Sequence, residues 1–137
     1  MEPLQYIFEY NDYPLIPIKF MSGERETPYI DALLDSGGDF IVIPHAIAKY
    51  LGVPLKKAGC VDTAGGTTNL YKATVQMVMG SSKRKITYSD LEIHVSSRND
   101  IPVLLGRHPI FEDHEILFRK YHNQLILTSV ERTTVPE

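Results

Sequence analysis

The feature that most restricts the fold is the rhythm of the apolar runs: they are short, they alternate with polar residues, and turn formers separate them. Residues 4–10 set Leu4, Tyr6, Phe8 and Tyr10 on one parity, and residues 15–20 follow Pro14 with Leu15, Ile16, Ile18 and Phe20. Period two belongs to a strand with one wet face, so these two runs are expected to pair as a hairpin. Residues 29–34 read as a third strand running into Gly37 and Gly38, and residues 40–43 as a short buried strand ended by Pro44. A helix is predicted over 44–52, with Pro44 at its start and Gly52 at its end. Residues 60–63 and 70–79 are expected to be two strands meeting at a mobile small-residue tip. Further strands are predicted at 86–88, 91–95, 103–105, 115–120 and 124–130, the last two as a hairpin, with a helical turn near 109–112. Many short strands with one or two short helices imply a mainly β protein built as a closed or partly closed barrel.

Size and charge narrow the function. A chain of 137 residues, 43% of them apolar, supplies one core, so a single domain over residues 1–130 is expected, followed by a flexible polar tail at 131–137. The formal net charge is −3 and the one basic cluster is Lys83-Arg84-Lys85, so nucleic acid is not an expected partner. Uncharged stretches such as 40–48 and 73–82 fall well short of the ~18 apolar residues of a membrane span. Residues 1–6 lack a basic segment followed by an apolar run, so a cytoplasmic location is expected and a membrane partner is not. Cys60 is the sole cysteine, which excludes an intrachain disulfide and a thiolate-rich zinc site. The five histidines have no His-Glu-x-x-His spacing, and neither a metal nor a cofactor is expected.

Two segments carry chemistry. In Leu33-Leu34-Asp35-Ser36-Gly37 an apolar strand delivers a carboxylate to a tight turn, with a hydroxyl beside it and a residue without Cβ next. Asp-Ser-Gly alone is a common turn. About seventy residues on, Ile101-Pro102-Val103-Leu104-Leu105-Gly106-Arg107 is a second apolar strand, ending in Gly-Arg before a helical turn. The two motifs together are far more specific than either.

This pair, with the glycine-bearing tip at Ala64, Gly65 and Gly66 between them, resembles the retropepsin-like aspartic proteases, single-lobe enzymes that work as homodimers. The resemblance spans roughly residues 13–127 and implies an acid-protease single lobe, of a stand-alone cellular rather than a viral kind. It implies that Asp35 is catalytic, that Ser36 braces the two loops across the twofold, and that the Gly37 carbonyl accepts from a substrate peptide. It further implies that Asp39 and Arg107 form a partly buried bidentate pair supporting the loop, with Gly106 beside it. Val42, Ile101, Pro102 and Leu104 fall at wall positions of the cleft, though as apolar strand residues they serve equally as core. Ala64, Gly65 and Gly66 would form a flap closing over a polypeptide substrate. Gly38 departs from the alanine usual there, and the C-terminal hairpin is longer than in viral members.

The need for two copies follows from chemistry as well. Hydrolysis of a peptide by carboxylates takes one acid and one base around a water, and two carboxyls about 3 Å apart share a proton because they cannot both ionise. One such Asp per chain then calls for a homodimer whose twofold axis sets Asp35 against its mate. Asp62-Thr63-Ala64 does not offer a second catalytic motif, because alanine stands where close approach needs glycine. Two other readings remain open at this stage: a dimeric peptide-binding module of the same fold with little turnover, and a plain β-barrel scaffold.

Overall fold

The computed structural model describes residues 3–63, 66–80 and 83–130. Ala64, Gly65 and the tail at 131–137 lie outside the described residues. The strands are β1 (Gln5–Glu9), β2 (Leu15–Ser22), β3 (Arg25–Glu26), β4 (Ile30–Leu34), β5 (Val42–Pro44), β6 (Lys56–Thr63), β7 (Gly66–Gly80), β8 (Lys85–Ser96), β9 (Val103–Leu105), β10 (His114–Arg119) and β11 (Gln124–Ser129). Two helices join them, α1 (His45–Leu51) and α2 (Ile110–Asp113). No helix among the described residues is long and apolar enough to cross a membrane.

Eight strands form one sheet in the order β3-β2-β4-β9-β5-β8-β7-β6, and β2 pairs again with β7 to close six of them into a barrel. The barrel interior follows from alternation. Ile16, Ile18 and Phe20 of β2 are fully buried, as are Ile43, Met77, Met79, Ile93, Val95 and Leu105 from strands around the ring. In β2 the side chains between them are half-buried, and Val78, between Met77 and Met79, is buried as well.

α1 starts and stops where proline and glycine place its ends. Gly52 follows the last turn at φ 71°, a conformation glycine adopts without penalty, and its N–H reaches the carbonyls of Ala48 and Lys49. At the other end the Asn99 side chain accepts from the Ala46 N–H at 2.8 Å, satisfying a donor that the helix itself leaves open.

The expected hairpin of residues 4–10 with 15–20 does not form. β1 pairs antiparallel with β11, from Gln5 opposite Thr128 to Glu9 opposite Gln124, in a separate three-stranded sheet ordered β1-β11-β10. Alternation fixed which face of β1 is apolar, and Tyr6 and Phe8 are indeed buried, but it carries no information about the partner. At Pro14 the chain leaves this sheet for the barrel, where the Pro14 carbonyl accepts from the Leu34 N–H at 3.0 Å. The runs at 86–88 and 91–95 are one strand, β8, interrupted by a bulge opposite Val75 and Met77. Asp90, at φ 52°, marks the extra residue, and the inward parity changes there from Ile86 and Tyr88 to Leu91, Ile93 and Val95.

In β10 the side facing β11 can be assigned. The Val130 N–H donates to the Asp113 carbonyl at 2.9 Å, continuing a register in which Glu115, Leu117 and Arg119 lie opposite Thr128, Ile126 and Gln124. Backbone polarity alternates along a strand, so Glu115, Leu117 and Arg119 bond toward β11 while His114, Ile116 and Phe118 direct their N–H and C=O groups to the other edge.

Truncating Phe20, fully buried on the strand that closes the barrel, tests this account of the core. Phe20→Ala is expected to cost about 3–5 kcal/mol in urea unfolding; a loss below about 1 kcal/mol would mean the barrel interior is not the main core.

Candidate active site

The two motifs meet because β4 and β9 run parallel in register, with Ala32, Leu33 and Leu34 opposite Val103, Leu104 and Leu105. Both strands end at the same height, so Asp35 and Gly106 emerge together, and the Asp35 N–H donates to the Leu105 carbonyl at 2.9 Å. The chain then turns: Gly38 N–H reaches back to the Asp35 carbonyl at 3.2 Å, and Gly37 N–H donates to Asp35 Oδ1 at 3.0 Å. That second bond orients the carboxylate over its own loop.

The loop is clamped from the other motif. Arg107 N–H donates to the Gly38 carbonyl at 2.8 Å and His108 N–H to the Asp39 carbonyl at 2.9 Å. Gly106 lies under the Phe40 backbone so closely that an added Cβ would sit 2.7 Å from the Phe40 nitrogen. No side chain fits there, which is why glycine must follow the apolar strand. Arg107 also bonds Asp39 through Nη2 and Oδ1, an exposed contact with side chains 55% and 70% accessible. The pair is therefore neither partly buried nor shown as bidentate: both residues sit on the outer rim of the loop, and the backbone bonds beneath them supply the clamp.

Asp35 and Gly38 open into a cavity of about 510 Å3. Val42, Ile101 and Leu104 line it as well, each half-buried, so these three are wall rather than core. Pro102 is exposed and does not line it; it lies in the irregular segment before β9, where strand alternation has not yet begun. Ser36 and Gly37 are exposed at the turn, and Gly66 is exposed at the start of β7. Val61, Thr68 and Leu70 close the cavity from above, on one face of the β6–β7 hairpin, where Val61 stands opposite Thr68. These three were not read from the sequence, although Thr68 and Leu70 share a parity that marks the hairpin's cleft side. Among the described residues no group of three or more His, Cys, Asp or Glu side chains is placed to hold a metal ion.

His94 was likewise missed. It lines the cavity on β8, opposite Val42 in the parallel β5–β8 ladder, and its ring lies 4.6 Å from that of Phe40, which His108 meets edge-on at 6.0 Å. Burial and then the Lys72 charge hold its pKa below the ordinary value, with Glu92 pulling the other way. The cavity thus joins the Asp35 carboxylate, Asp39 and Arg98, mostly apolar walls and a histidine that resists protonation.

A six-stranded barrel whose parallel β4–β9 pair presents an Asp-Ser-Gly turn beneath a β-hairpin defines a retropepsin-like lobe. The chain belongs to the aspartyl protease family, whose model matches residues 18–108, about two-thirds of its length. It is similar in fold to a retropepsin-like aspartic protease from Rickettsia conorii, at 21% identity and TM-score 0.69 over 90% of this chain and 98% of that one. The EIAV protease in complex with the inhibitor HBY-793 matches at 17% identity and TM-score 0.54, covering 77% of this chain and 91% of its own. The retroviral protease-like domain of Ddi1 from Leishmania major matches at 12% identity and TM-score 0.55, covering 90% and 98%. A search of the curated proteins finds no match.

Two measurements check this geometry. Gly106→Ala is expected to destabilise by about 3 kcal/mol or more, since backbone blocks the new methyl. Gly38→Ala should stay within about 1 kcal/mol, because the atom nearest its Cβ, at 3.3 Å, is the movable Asp35 Oδ2. Equal losses in urea unfolding would refute the clamp. For His94, both folded and unfolded forms are neutral above pH about 6.5, and on acidification the unfolded chain takes up its proton first. Stability is therefore lost as pH falls from about 6.5 toward the lowered folded pKa. The thermal midpoint of His94→Gln should drop less between pH 7 and 5 than that of wild type; an identical drop would contradict the desolvated placement.

Proposed function

We propose that the protein is an aspartic endopeptidase that hydrolyses peptide bonds in extended polypeptides, acting as a symmetric homodimer without a cofactor. The observation that carries this reading is the position of Asp35, on the floor of an apolar cavity at the end of the β4–β9 pair, one such carboxylate per chain. A twofold axis passing beside the Asp35 turn sets it against its mate, and the two carboxyls then hold one proton between them. The ionised carboxyl takes a proton from water, which attacks the scissile carbonyl; the protonated one donates to the carbonyl oxygen. The tetrahedral adduct collapses as the amide nitrogen is protonated and leaves, and the shared proton is restored to the pair.

The surrounding residues bind and orient. Ser36, exposed at the turn, bonds across the axis to brace the paired loops, and the Gly37 carbonyl accepts from the substrate backbone. Val42, Ile101 and Leu104 favour apolar side chains next to the cleaved bond. The segment from β6 to β7, which includes Ala64, Gly65 and Gly66 in sequence, acts as the flap: it pairs with the extended peptide as an added strand and excludes water.

Asp35→Asn is expected to lower cleavage of an unfolded protein or peptide library by about 10³-fold or more while circular dichroism and self-association stay unchanged. Retained cleavage would overturn the dyad mechanism. Wild-type protein that binds extended peptides but cleaves none from pH 3 to 8 would favour a peptide-binding module on the same fold.

A further inference from the structure

Among the described residues β10 pairs only with β11, so the N–H and C=O groups of Ile116 and Phe118 face away from the sheet. Such an edge invites another strand, and proteins commonly blunt it with charges, a bulge or a proline. β10 has no proline, and its ladder with β11 runs unbroken from His114 to Arg119. Two large apolar side chains on it stand in water, Leu117 at 54% and Phe118 at 48% exposure.

The charges on this strand are of opposite sign and spaced evenly about one residue: Glu115, then Leu117, then Arg119. We infer that β10 pairs antiparallel with β10 of a second copy about a twofold axis at Leu117, joining two three-stranded sheets into one of six. This names the dimer contact of the protease reading above and rests on it. An axis perpendicular to the sheet keeps inner face beside inner face and matches Glu115 with the second copy's Arg119, twice. Leu117 meets Leu117 as the closely spaced, non-bonded pair at the axis, and Ile116 and Phe118 exchange backbone bonds with their counterparts, four in all. Centring the axis on Ile116 or Phe118 instead sets Leu117 against Glu115 or Arg119, so the charges choose the register. Glu115 is exposed, and among the described residues Arg119 hydrogen-bonds only Gln124, through Nη1 at 3.1 Å, which leaves guanidinium donors for the carboxylate across the axis.

Charge reversal tests this, with association measured by sedimentation equilibrium and cleavage assayed in parallel. Glu115→Arg or Arg119→Glu alone should weaken self-association about tenfold or more, because each places like charges opposite each other twice. The mixture of the two single variants should associate as hetero-pairs near wild-type strength, and the double variant should recover the homodimer. That recovery also shows that the single variants fold. A dimer that tolerates both single variants unchanged would overturn the β10 contact and leave the homodimeric protease standing. Wild-type protein that cleaves peptides at a rate strictly proportional to its concentration, and sediments as a monomer throughout, would overturn both.

Discussion

Everything around the candidate site depends on the parallel pairing of β4 with β9. Parallel strands reach the same end of a sheet together, so two turns about seventy residues apart in sequence become one surface. The Asp35 amide is then held by Leu105, the Gly38 and Asp39 carbonyls are held by Arg107 and His108, and Gly106 fits under Phe40 where nothing larger would. The position of the carboxylate is thereby set by backbone geometry, with few side chains involved. This accounts for a loop that is well fixed although the Asp39–Arg107 ion pair on its rim is exposed and, like most such pairs, contributes little.

Elements whose identity is a local matter were legible in the sequence. Pro44 and Gly52 bound α1 because one is tolerated only at a helix start and the other relieves its end; alternation in β2 predicts which side chains fill the barrel. The Asp-Ser-Gly and Gly-Arg motifs were legible as a pair, and Val42, Ile101 and Leu104 do line the cavity with Asp35. What eluded a linear reading was long-range. The partner of β1 is a strand at the far end of the chain, and nothing in Tyr6 or Phe8 distinguishes Leu15 from Leu127 as a neighbour. β8 looked like two strands because a bulge changes its parity at Asp90.

The same limit applies inside the cavity. His94 reads as an isolated polar residue between Ile93 and Val95, and only the β5–β8 ladder sets it beside Val42 and against Phe40. Val61, Thr68 and Leu70 likewise become cleft residues because a hairpin folds over the barrel opening, a tertiary fact. Pro102, placed beside Ile101 by resemblance, is exposed in the irregular segment before β9 and does not line the cavity.

The pairing of β1 with β11 also bears on synthesis. A ribosome delivers Tyr6 and Phe8 long before the strand that covers them with Leu125 and Leu127. Until then two aromatic side chains have no permanent shelter, and contacts spanning nearly the whole polypeptide are slow to close. The sheet can close only after β11 has been made, so β1 waits uncovered through the synthesis of every strand between them.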